Sequence, residues 1–159
     1  MSAGDTSIQE FIGLDGTRIG TAHTSFYDDL CRKTDAEERA SAKKKPFKNK
    51  VDLFPIALII GVLNDKRDES KKDDPFARLN SIADYHKSVI KIFFHSVARG
   101  DTWADKWKDI KNLADGGIQI IEDEYKKTND FDVYKIFADV NKMWPEKAKD
   151  IIKNLQKSS

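Results

Sequence analysis

Five lysines are gathered in the run Lys43-Lys44-Lys45-Pro46-Phe47-Lys48-Asn49-Lys50. The run opens directly into Val51 to Leu63, the most apolar stretch of the chain. Ammonium groups at the start of a helix sit beside unbonded N–H groups and the positive end of the helix dipole, an arrangement that favours an anion. Contacts of this kind give affinity for phosphate without reading sequence. Lys43, Lys44, Lys45, Lys48 and Lys50 are therefore candidate contacts to nucleic acid or to an acidic protein partner. The competing interpretation is that these lysines only keep a helix face and its loop soluble. The whole chain has 28 Lys and Arg against 27 Asp and Glu, a formal charge of +1, which argues against a dedicated nucleic-acid binder. Any electrostatic role is local.

Other residue types offer less chemistry. His86 and His95 lie nine positions apart, half a turn out of phase on one helix, so they cannot grip a metal together as an i, i+4 pair would. With His23 they read as surface or core-edge residues. The single cysteine, Cys31, excludes an intramolecular disulfide and a cysteine zinc site. Arg32 and Lys33 would lower its thiol pKa, but its place after Leu30 on an apolar face favours a small buried hydrophobe. No Gly-x-Ser-x-Gly elbow and no phosphate-binding glycine loop occurs. The dense acids Asp73-Asp74 and Glu122-Asp123-Glu124 have lysines close by, at 71–72 and 126–127, as a solvated face or loop does. The expectation is no catalytic residue, no metal and no cofactor.

The elements that must position these groups are mostly helical. Residues 1–22 read as a flexible N-terminus with a hairpin signal at Asp15-Gly16, between Phe11-Ile12 and Ile19. Residues 23–159 read as one helical domain. Phe26, Tyr27 and Leu30 form a short apolar face. Thr34 and Glu37 have capping-box spacing for a polar helix ended by Pro46. Asn49 is a candidate N-cap for the apolar helix, which Pro55 either kinks or begins. Asn64 to Asp74 reads as a charged loop, and Leu79 to Val97 as a core helix closed by Gly100.

Thr102 caps a helix bearing Trp103 and Trp107, loosened at Gly116-Gly117; that pair as the turn of a helix-turn-helix is the less favoured reading. Two short helices finish the chain, the last beginning at Pro145. The sum is an all-α domain of about seven helices, orthogonal or bundle-like, with a small N-terminal β-hairpin. Met1 to Glu10 is polar, without a secretory signal, and Leu53 to Leu63 is shorter than the roughly 20 residues of a membrane span. A cytoplasmic protein with no membrane contact is expected.

Three stretches carry a resemblance: Phe26-Tyr27-Asp28-Asp29-Leu30; Pro46 to Phe54 with Ala57 and Gly61; and Leu113-Ala114-Asp115-Gly116-Gly117-Ile118 followed by Tyr125. Across residues 26–125 the chain resembles small helical accessory proteins encoded beside bacterial DNA phosphorothioation (Dnd-type) and related anti-phage defence genes. The resemblance implies a non-enzymatic component working near DNA or within a larger DNA-acting protein assembly, and it transfers no catalytic residue. Two other readings stand beside it. One is a toxin- or inhibitor-like interaction module whose apolar interface uses Phe11, Ile12, Trp103 and Trp107. The other is a metal-dependent nuclease built on scattered carboxylates.

Overall fold

The apolar run at 51–63 has no polar face, and a helix that is hydrophobic all round has to be surrounded. The computed structural model, which describes residues 18–31, 46–70, 73–129 and 132–158, builds the fold around it. In chain order the described elements are strand β1 (Arg18–Thr21), helix α1 (Thr24–Leu30), α2 (Lys50–Leu63), strand β2 (Asp74–Arg78), a 3₁₀ turn (Leu79–Ser81), α3 (Asp84–Ser96), α4 (Trp103–Thr128) and α5 (Val133–Ser158). Phe54, Leu58 and Val62 of α2 join Ile19, Leu79, Phe93, Phe94 and Ile110 in one core cluster. Leu53, Ala57 and Ile60 face a second, with Phe26, Tyr27, Leu30, Ile118 and Ile121.

The mostly helical class agrees with expectation, and the helix count does not. Five α-helices are present among the described residues rather than seven. The polar helix anticipated from Thr34 to Lys44 lies outside the described residues. The two expected C-terminal helices are one, α5, with Pro145 inside it. A proline removes one backbone bond and crowds the preceding turn; here packing on α3 spans both sides of it. The Phe93 and Trp144 rings lie 6.4 Å apart near-perpendicular, and Asn154 Nδ2 donates to the Ser96 carbonyl at 2.8 Å. Pro55 is likewise interior to α2, which already starts at Lys50.

A small two-stranded antiparallel sheet is present at the N-terminal end of the described residues, but the strands it joins are not those of a local hairpin. Phe11, Ile12 and Asp15-Gly16 lie outside the described residues, and β1 pairs antiparallel with β2, far along the chain. Arg18 stands opposite Arg78 and Thr21 opposite Asp74, with an irregularity between Ile19 and Gly20. The core helix begins at Asp84 rather than Leu79, because the chain leaves β2 through a 3₁₀ turn at Leu79–Ser81. Leu79 and Ile82 remain buried in the turn that leads to it.

The closest packing is between α2 and α4, and glycines set it. A Cβ on Gly61 would overlap the Leu113 carbonyl oxygen, and one on Gly117 would overlap that of Ala57. The Gly116-Gly117 step therefore neither turns nor breaks the helix. Its missing side chains let two backbones touch. Among the described residues, no helix is long and apolar enough to cross a membrane.

Candidate functional site

The basic run enters α2 beside α1. Phe47 N donates to the Leu30 carbonyl at 3.1 Å, and Phe47 forms a parallel bridge with Cys31, which fixes the last lysines of the run against the first helix. Lys48 is exposed. Lys50 pairs with Asp28 at 2.8 Å, both side chains about one-third exposed, so its charge is offset locally. Asn49 takes the N-cap position with extended backbone, but its side chain makes no capping bond. Asp52 occupies the first turn and stands 3.3 Å from His86 Nε2. Lys43, Lys44 and Lys45 lie outside the described residues, as do Phe11 and Ile12. The proposed apolar interface also loses Trp107, which is core at 4% exposure, while Trp103 is 44% exposed. An indole ring that fills the core offers no contact to a partner.

A second polar group was not legible in the sequence. Asp115 is buried on α4, where its carboxylate accepts from Thr21 Oγ1 at 2.6 Å and Ala22 N at 3.2 Å. His23 N donates to the same Thr21 oxygen at 3.0 Å. The His23 ring lies between two acids, Nε2 at 2.6 Å from Asp68 and Nδ1 at 3.8 Å from Glu122. Burial raises the Asp115 carboxyl above the ordinary range, and its bonds to Thr21 and Ala22 pull it partly back. Tyr27 is fully enclosed nearby, and its hydroxyl has no hydrogen-bond partner among the described residues. Desolvation first, then the Asp115 and Cys31 charges, push its pKa well up. Cys31 is buried, as the apolar reading of its position expects.

The third group closes the loop read as merely charged. Arg67 donates from Nε and one terminal nitrogen to Asp109, at 2.7 and 3.1 Å, and from the other terminal nitrogen to Asp65 at 2.7 Å. Arg99 N adds a bond to Asp109 at 2.9 Å. A bidentate guanidinium–carboxylate pair of this kind is directional as well as strong. The bond from Arg67 holds the Asp65 carboxyl below its ordinary range, and the bond to Asp109 is the main reason the Arg67 pKa is raised.

Chemically these clusters join elements. The Thr21 hydroxyl donates to the Asp115 carboxylate while its oxygen accepts from the His23 backbone amide, which ties the end of β1 to the middle of α4. Among the described residues, no three His, Cys, Asp or Glu side chains are arranged to hold a metal ion. The one trace of the clusters in sequence is that Asp109 and Asp115 adjoin the apolar stripe Trp107, Ile110, Leu113, Ala114, Ile118, where an acid has to be paired. Comparison with protein-family models, with curated proteins and with solved structures finds no match.

Proposed function

We propose that this chain is a non-catalytic accessory protein, working near DNA in an anti-phage defence setting, that contacts nucleic acid or an acidic partner through the basic run ending at Lys50. The observation that carries the proposal is the use made of the buried ionisable groups. Asp115, Asp109 and Arg67 hold strand to helix and loop to helix within the chain, so the polar chemistry open to another molecule lies at the surface. At the entry to α2 Lys48 is exposed, and Lys43, Lys44 and Lys45 precede Pro46 in the sequence that leads to it. The defence setting rests on the family resemblance of residues 26–125 alone.

The test is a Lys44→Glu, Lys45→Glu, Lys48→Glu variant of the full chain, titrated against a labelled DNA duplex and against heparin at low salt. Loss of binding with an unchanged melting curve is expected, because exposed charges contribute little to stability. Wild-type affinity in the variant would remove the basic run from the account.

A further inference from the structure

A surface remote from the basic run has the opposite character. The last turn of α2, the second half of α4 and the first half of α5 enclose an open hollow of about 140 Å³. Ile60, Ile121, Ile136 and Val140 form its apolar floor. Among the described lining residues, the rim carries Glu124, Asp132 and Asp139 against one cation, Lys135. Lys135 is bound to Glu124, which is also 3.7 Å from Lys127. Asp132 accepts from Lys135 N at 3.0 Å, a capping bond that leaves its charge in place. Asp132 and Asp139 are both exposed, and with Glu124 they outnumber Lys135 at the rim. The hollow is therefore apolar within and acidic at the edge.

We infer that this groove is a docking site for a cationic segment of another protein, one that seats a single phenylalanine- or leucine-sized anchor and carries Lys or Arg on either side. The volume suits one such group, since an apolar cavity of about 150 Å³ accepts a benzene-sized molecule. The charge selects the flanks: lysines or arginines beside the anchor meet Asp132 and Asp139, whereas an acidic segment would be repelled. An apolar anchor set in a charged rim is the recurring form by which amphipathic segments enter helical grooves. This inference is independent of the basic run, because it uses neither its residues nor its sign of charge.

The probe is a labelled twelve-residue peptide with one central phenylalanine among lysines and arginines, measured by fluorescence anisotropy with the full chain. Saturable binding is expected. It should weaken several-fold when alanine replaces the phenylalanine, when glutamates replace the flanking cations, and in the exposed-rim variant Asp139→Lys. Ile136→Ala, which trims the floor without adding charge, should weaken it as well. Both variants should bind DNA and heparin as the parent does, so failure here and failure of the basic-run reading are separable. The inference is overturned if the peptide does not bind, or if Asp139→Lys and Ile136→Ala bind it as tightly as wild type. It is also overturned if toluene occupies the groove while the peptide fails to compete, or if sedimentation shows a second copy covering it.

Discussion

Helix α4 meets two neighbours in opposite ways. Against α2 it presents Leu113 and Gly117, and the two backbones come into contact, while Gly116 meets the Lys66 carbonyl in the loop after α2. One turn further on it presents Ile120, Ile121, Glu124 and Tyr125 toward α5, and an open groove remains between them. The same helix is thus clamped at its middle and stands apart near its end. The difference follows from side-chain volume: where there is none, carbonyl oxygens occupy the space a Cβ would take, and where branched and aromatic residues project, their tops set the spacing. The clamped region accounts for stability. The open one offers a surface to another molecule.

The largest effect that tests this contrast is truncation in the core. Leu58 is fully buried on α2, and Leu58→Ala should lower unfolding free energy by about 2 to 5 kcal/mol, read by urea titration. Ile136→Ala on the groove floor removes similar volume from a partly buried site at the edge of the core and should lower it by about 1 kcal/mol, because less water-free contact is lost. Similar losses at the two sites would erase the distinction. Ile59, in the same apolar run, is only partly buried and should fall between them.

A sharper test exploits a sign. In a helix interior, alanine in place of glycine ordinarily gains about 1 kcal/mol. At Gly117 the added methyl group meets the Ala57 backbone, so Gly117→Ala should instead lose about 1 to 3 kcal/mol by overpacking. A stabilised variant would show that α2 and α4 do not touch.

A smaller effect concerns pH. The Asp115 carboxyl is raised, chiefly by burial, so the native state holds its proton to higher pH than the unfolded chain does. Stability from this group is then fully present below the unfolded carboxylate pKa and declines as pH rises through the raised value. Asp65, lowered by its bond from Arg67, contributes with the opposite sign. Comparing unfolding of wild type and Asp115→Asn across mild acid should show the decline in the parent alone. Parallel profiles would place the cause elsewhere.

How much of this could be read from residues depends on the range of the interaction. The apolar run of α2 and the stripe of α3 are local patterns, and both elements appear where the periodicity puts them, except that α3 starts at Asp84 after a 3₁₀ turn at Leu79–Ser81 and extended backbone at Ile82 and Ala83. The β1–β2 pair was not readable, because Pro75 and a single large apolar residue, Phe76, make Asp74–Arg78 look like loop until Arg18–Thr21 lies beside it. The Thr21–Asp115 bond joins residues 94 positions apart; the apolar stripe around Asp115 signals that it needs a partner, but nothing nearby in sequence says which. Pro145 misled for a physical reason: packing on α3 outweighed a lost backbone bond. At the start of α2, Asn49 was legible as the N-cap position, whereas the pairing of Lys50 with Asp28 needed α1 in place.

Salt dependence tests the proposed function most directly. If lysines of the run neutralise phosphates, the logarithm of the duplex-DNA association constant should fall linearly with the logarithm of salt concentration, with a slope near −0.9 per phosphate contacted. Replacing exposed Lys48 by Gln should then flatten that slope by about one contact and leave the melting curve unchanged. Binding that is independent of salt, or a slope that Lys48→Gln leaves intact, would contradict a role for the basic entry to α2.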